Sequence, residues 1–446
     1  MKYTNWSVLL AAIFWLCASP IQTFGVEETL EEAFQTAIAA SENVRAEDDA
    51  IQAAHMTRMA ATGARVPELT VTAGYTALSS QPKLEMSDVI NIPTAVPVIG
   101  GASLPVHMDV PMANQDFMTT SAMFTVPLYV GGKIQALEDA GYAMVEAAKA
   151  GKQVVVADLK LQVVQNYFMI LRLQRLLQVA QAAEKSLEQH ERDVEVLLEQ
   201  GVITPTAQLS AKAAHAKTKQ MIVQVESGLN TARANYNRLM WRPLDAPVEL
   251  KELELPPAPP QNVEELMARA VAQRQELWKI QSQANAVEAK ARSERAERLP
   301  HVAAAAGGMY VQNDYLKDEA YAQGTIGVTW TPLNCTSRAK ERAAQSQASS
   351  IRRKREEAIN GIRVQVVKAY NEEIAARQNI ETAHEAVLKA RENLKMVQEQ
   401  FKEGLASYSE VLDANALRTQ AYTDYFNALY DTLAASYTLR YAMGEL

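Results

Sequence analysis

The 446-residue sequence predicts a mainly α chain with strands of the membrane β-barrel kind, laid out as two tandem helix–strand–strand–helix repeats. Three observations carry that prediction. The chain resembles itself across its two halves. Each half holds a proline-free stretch of more than 60 residues in helical period. Between the helices lie segments of about ten residues in which apolar and small polar side chains alternate.

The repeat is legible from fixed spacings. Residues 30–77 resemble residues 263–310, pairing Pro67 with Pro300 and Gly74 with Gly307 at a constant spacing of 233. Residues 124–133 (FTVPLYVGGK) resemble 329–338, where Pro127 pairs with Pro332 at a spacing of 205. Val163, Val164, Tyr167 and Gly201 match Val366, Val367, Tyr370 and Gly404 at 203. The fall from 233 to 205 places 28 additional residues in the first copy.

In chain order, Lys2, the apolar run 8–17 and Pro20 read as a secretion signal over residues 1–25. The run is too short to cross a bilayer. Cys17 follows Leu16, where a lipoprotein would carry a small residue, so lipidation is not expected. Without the signal Cys335 stands alone, and no intrachain disulfide can form. No later segment approaches 18 unbroken apolar residues, so any entry into a membrane is by strands.

The first repeat covers residues 26–242. A helix over 30–65 precedes strands at about 69–78 and 118–128, and the proline-dense stretch 79–116 reads as an irregular loop capping a barrel mouth. A long helix over 133–200, which Gly141 and Gly151 are positioned to break, ends at Gly201. Thr204 and Pro205 restart the next helix as cap and first helical position, putting a hairpin tip at 201–205. The turn Val130-Gly131-Gly132, with Pro127 before it, joins strand to helix. A proline-rich link spans 243–261.

The second repeat covers residues 262–446: a helix over 263–299, strands at about 301–312 and 321–332, and a strand-to-helix turn with Pro332. A long helix over 338–403 ends at Gly404. Ser407 then caps the last helix with Glu410 three residues on, a capping box, and the tip lies at 404–408. The strand at 301–312 alternates only weakly, being mostly Ala and Gly.

Composition excludes several classes. A net charge of −8 argues against nucleic acid as a partner. No nucleophile–base pair, phosphate loop, paired catalytic carboxylate, HExxH or CxxC emerges, so no enzyme, cofactor or metal is predicted. His107, Met108 and Met112 carry soft donor atoms, but in a loose loop they read as packing. The basic run 352–355 reads as a solvated helix face. Four strands cannot close a barrel and open edges are not tolerated in lipid, so membrane strands require several chains to share one barrel.

These features together, with QFKEGLASYSEVLDANALRTQAY near the C-terminus, resemble the TolC-like outer-membrane efflux protein family. The resemblance covers nearly all of the chain after the signal. It implies a homotrimer with a 12-stranded β-barrel in the lipid of a Gram-negative outer membrane, continued by a long periplasmic α-helical barrel. It further implies a conduit for export of small molecules or proteins, docked onto a periplasmic adaptor (membrane fusion) protein and an inner-membrane pump. Gly201, Thr204, Pro205, Gly404 and Ser407 match the hairpin tips that meet the adaptor. Glu410 and Asp413 match acidic positions that ring the periplasmic aperture; three residues apart, they share a helix face. The family's acid near Ala207 and base near Ala406 are absent, so an ion-pair latch is not expected at those positions. The competing class is a periplasmic adaptor or structural coiled-coil protein, which would lack the paired alternating strands.

Overall fold

The computed structural model describes residues 27–91, 103–201 and 203–446; the signal segment 1–25, with Cys17, lies outside them. The chain divides into two compact units. The helical unit holds the segment up to Glu47, Gly151–Gln275 and Ala358–Leu446; the strand unit holds Asp48–Ala150 and Glu276–Glu357.

In chain order the elements are α1 (Leu30–Ala40), α2 (Glu42–Gly63), β1 (Glu68–Ala77), β2 (Lys83–Asn91), β3 (Ser103–Pro111), β4 (Asp116–Val130), α3 (Lys133–Glu199), α4 (Pro205–Leu239), α5 (Val263–Gln273), α6 (Gln275–Ala296), β5 (His301–Val311), β6 (Ala320–Thr329), α7 (Cys335–Lys402) and α8 (Tyr408–Met443). Two tandem repeats are therefore present, each with one pair of strands in a shared sheet.

Three expectations need correction. The helix expected over 30–65 is two helices, separated at Ser41, and the one over 263–299 is separated at Arg274. Both residues take extended backbone (ψ 118° and 119°), a break that helical periodicity does not reveal. Gly141 and Gly151 do not break α3, which runs unbroken for 67 residues. A Cβ at Gly141 would lie 2.9 Å from the Cα of Arg58, so glycine there lets α2 and α3 approach closely. The expected irregular loop 79–116 contains an antiparallel hairpin, β2–β3, paired from Lys83↔Pro111 to Asn91↔Ser103. Its prolines are compatible with that ladder. Met112 N–H donates to Pro82 O at 2.9 Å, and the period of two turns the nitrogens of Pro105 and Pro111 away from β2.

The helical unit is organised around Tyr167, Phe168, Ile170, Leu171, Tyr236 and Leu433, all at or below 2 % exposure. Tyr167 and Tyr236 meet edge to face, centroids 6.4 Å apart. Within α3 an 18-residue stretch reaches a mean hydropathy of 1.3, with 33 % of it buried. The link between repeats is part of the same body. Val248 and Leu250 are buried, Glu28 N–H donates to Glu249 O at 2.9 Å, and the Tyr167 hydroxyl donates to Glu28 O and Lys251 O.

Candidate functional sites: the exposed sheet and the hairpin tips

The four strands shared by the two repeats form one antiparallel sheet in the order β1-β4-β5-β6. Register decides what each face presents. Across the ladders, one face carries the rows Ala77–Asp116, Tyr75–Met118, Ala73–Thr120–Tyr310–Ala320, Val71–Ala122–Gly308–Ala322, Leu69–Phe124–Ala306–Gly324, Val126–Ala304–Ile326 and Tyr129–Val302–Val328. Asp116, at the end of the face, and Thr120 are the hydrogen-bonding side chains among them besides the three tyrosines. The opposite face carries Glu68, Thr70, Thr72, Thr119, Ser121, Thr125, Gln323 and Thr325, with Met123, Met309, Val311 and Tyr321 among them.

The apolar face is exposed in this chain: Leu69, Val71, Tyr75, Phe124, Ile326 and Val328 all stand open, with Ile326 at 74 %. A soluble sheet buries such a face, at about 25 cal/mol per Å² of apolar area. Amphipathic aromatic groups bound it at both ends. The hydroxyls of Tyr75 and Tyr310 donate to Asp116 and Glu319, each at 2.9 Å, while Trp330 Nε1 donates to Arg298 O at 3.1 Å beyond the other end. From Val302 to Tyr310 the strand rises about 27 Å at ~3.4 Å per residue. A tilt of about 40° reduces that to about 21 Å, close to the apolar band of a membrane barrel.

Of the expected turn residues, Gly131 and Gly132 connect β4 to α3 with φ of +63° and +80°. A Cβ on Gly131 would fall 2.7 Å from Leu299 Cβ, so both conformation and space demand glycine. Pro127, grouped with this turn and expected just before it in the strand 118–128, lies inside β4, beside a β-bulge between Pro127 and Tyr129. A bulge absorbs a residue that cannot join the ladder. Pro332 lies in the turn between β6 and α7. There Asn334 Oδ1 accepts from Ser337 N–H at 3.0 Å, a helix cap not noticed in the sequence. The weakly alternating segment is β5, in the sheet interior; a Cβ at Gly307 would lie 2.0 Å from Ala122 O, so the small residues there answer to close approach of β4.

In the helical unit, α3 and α7 end at Gly201 (φ +70°) and Gly404 (φ +75°). Thr204 occupies the cap position of α4 with Pro205 following, but makes no side-chain cap bond. Ser407 caps α8, accepting from Glu410 N–H at 3.4 Å, and its hydroxyl donates to Glu410 Oε1 at 3.0 Å. The capping box expected here is thus incomplete: the bond from the cap N–H to the carboxylate, formed at Thr29–Glu32, is absent. One apolar cluster joins the two tips: Val194, Ala211 and Tyr408 are buried, with Ile203, Ala207, Phe401 and Leu412 against them. Glu410 and Asp413 are exposed, on either side of buried Val411. Asp413 meets no partner among the described residues.

Other charged groups lie beside the tips. His215 Nδ1 is 2.6 Å from Glu191 Oε2, linking α4 to α3. Burial pushes the Tyr408 phenol up to about 12, and the charges of Asp193 and Glu191 add to it; its hydroxyl has no hydrogen-bond partner among the described residues. His107, Met108 and Met112 sit on or beside β3, with Met108 opposite Met86. Among the described residues no group of three or more His, Cys, Asp or Glu is arranged to hold a metal.

The family profile described as outer membrane efflux protein matches residues 33–240 and 266–445. No curated protein matches the sequence. Among solved structures, the outer-membrane channel OprN aligns at a TM-score of 0.76 with 16 % identity, over 94 % of this chain and 90 % of that one. The outer membrane protein VceC from Vibrio cholerae gives 0.74 and 16 %, over 93 % and 96 %. The Campylobacter jejuni CmeC outer membrane channel gives 0.73 and 11 %, over 93 % and 85 %.

Proposed function

The chain belongs to the outer membrane efflux protein family, and from that premise we propose that three copies form a passive export conduit through the outer membrane of a Gram-negative bacterium. The observation that supports this reading most directly is the register of the β1-β4-β5-β6 sheet, which gathers Leu69, Val71, Phe124, Val126, Ile326 and Val328 on one face, with the hydroxyl-bearing rows on the other. Such a face suits lipid. In lipid, the free edges of β1 and β6 must find partners, because an unpaired backbone group there costs several kcal/mol. With four strands per chain, β6 of one copy pairs with β1 of the next, and three copies close a 12-strand barrel wide enough for a passage.

The helices line the periplasmic part of the conduit, and the tips at Gly201–Pro205 and Gly404–Ser407 meet a periplasmic adaptor that couples them to an inner-membrane pump. Glu410 and Asp413, three residues apart on exposed positions of α8, bring six carboxylates to the periplasmic aperture when three chains assemble. Like charges so placed favour cations. The chain contributes positioning and electrostatics; the driving energy comes from the pump.

Mass photometry of the detergent-solubilised, signal-processed protein tests the assembly. A trimer is expected, surviving in mild detergent and collapsing to monomer when β1 is interrupted by Val71→Pro. A folded, stable monomer would overturn the shared barrel and favour the soluble coiled-coil class.

A further inference from the structure

The inference concerns selectivity and rests on the proposed barrel, with the polar face of the sheet turned to the passage. That face is electrically quiet. Its rows are Thr76–Phe117, Gly74–Thr119–Val311, Thr72–Ser121–Met309–Tyr321, Thr70–Met123–Gly307–Gln323, Glu68–Thr125–Ala305–Thr325, Pro127–Ala303–Gly327 and His301–Thr329. In these rows Glu68 is the one carboxylate.

Glu68 opens β1, at the end of the sheet that α2 and α3 join within the strand unit. It is exposed and has no hydrogen bond or ion pair among the described residues. Other carboxylates around that end are neutralised. Glu138 holds Arg65 and Glu297 holds Lys133, both at 2.5 Å; Asp139 holds Arg292 at 2.8 Å and Glu341 holds Arg298 at 2.6 Å. The field of an ion pair dies away faster with distance than that of a lone charge, so a solute crossing this level meets Glu68.

We propose that Glu68 is the charge filter of the strand-built passage. One carboxylate per subunit stands at the inner edge of an otherwise neutral wall of hydroxyl, amide, thioether and glycine groups. The filter attracts permeant cations and repels anions. Neutral solutes cross the remaining rows with no electrostatic cost, so discrimination by charge within the barrel is confined to one level. This filter is separate from Glu410 and Asp413, which belong to the helical unit. It acts through solvent, so its reach follows the Debye length, about 30 Å at 0.01 M salt and about 3 Å at 1 M.

Reversal potentials across planar bilayers under a KCl gradient test it, using the full-length processed trimer at tens of millimolar salt. The Glu410→Ala, Asp413→Ala background removes the aperture carboxylates. In that background Glu68→Gln is expected to lower the K⁺/Cl⁻ permeability ratio at least about twofold, and Glu68→Lys to turn the preference towards Cl⁻. Both effects should shrink at 1 M KCl. Glu68 is exposed and unpartnered, so the variants should assemble as the parent does, checked by mass photometry. An unchanged ratio in conducting Glu68→Gln and Glu68→Lys trimers overturns the filter while leaving the conduit standing. Absence of conductance from folded parent trimers overturns the conduit and the filter with it.

Discussion

Ser41 and Arg274 stand 233 residues apart and interrupt their helices in the same way. Each leaves the helix in extended conformation while its N–H donates at 3.0 Å to the carbonyl four residues back, of Ala37 and Ala270. Their spacing equals that of Pro67 and Pro300, so the break is a property of the repeated unit. The side chains do different work. Ser41 Oγ accepts from Val44 N–H and restarts its helix, whereas Arg274 donates to Tyr441 O and to Gln365 Oε1 and stacks over the Tyr441 ring.

Unequal costs follow. Arg274→Ala strips charge-assisted bonds from the end of α8 at a site only 6 % exposed, and should destabilise by about 2–3 kcal/mol. Ser41→Ala loses one long cap bond and should cost about 0.5–1 kcal/mol. Denaturant midpoints of the detergent-solubilised variants would expose this order; equal losses would contradict it.

Arg377 fastens the link between repeats. Its guanidinium donates to Pro256 O at 2.9 Å and Pro257 O at 3.0 Å and pairs with Glu373, which is 2 % exposed. Arg377→Ala leaves a buried carboxylate without its cation and should cost about 3 kcal/mol or more. Lysine lacks the fork that serves carboxylate and carbonyls together and should rescue little. A glutamate-specific protease should then cut after Glu254, beside the released prolines, in both variants, and protection of that bond in Arg377→Ala would refute the role.

Both tip glycines use backbone that other residues adopt at a cost. No atom lies within 4 Å of a Cβ built on Gly201 or Gly404, so the penalty is conformational alone. Gly201→Ala and Gly404→Ala should each cost about 1 kcal/mol, with assembly retained. A loss several times larger would mean that the tips are packed against something at these positions.

The tips should loosen in acid. Burial holds the His190 imidazole below its ordinary value; Arg418 acts in the same direction and Asp193 against it. The folded state therefore binds the proton more weakly than the unfolded state, whose pKa is about 6.5. Above that pH both states are neutral and stability is level; as the pH falls below it, unfolding gains a proton and stability declines. Hydrogen exchange at the α3 end of the tip should quicken between about pH 7 and pH 5, and His190→Gln should flatten that slope. Comparison with the variant isolates the contribution of His190. The same slope in both proteins would remove His190 from the account.

What could be read from the sequence had local causes. Tip glycines, Pro205 and the strand alternation of residues 69–77 each act through backbone conformation or a period of two. The breaks at Ser41 and Arg274 were hidden because neither residue is a helix breaker; the break is held by tertiary bonds such as those of Arg274. Hairpin β2–β3 was masked by its prolines, which are harmless when their nitrogens face outward. The bulge beside Pro127 was hidden because a bulge and a turn share the same residue preferences. Glu68 carried no signal until register placed it beside Thr125 on a face with no other carboxylate.

Single-channel recording from purified trimers in planar bilayers tests the central claim most directly. The account predicts steady conductance that is cation-selective and loses part of that selectivity in the Glu410→Ala, Asp413→Ala variant. Folded trimers that reconstitute but carry no current would contradict it.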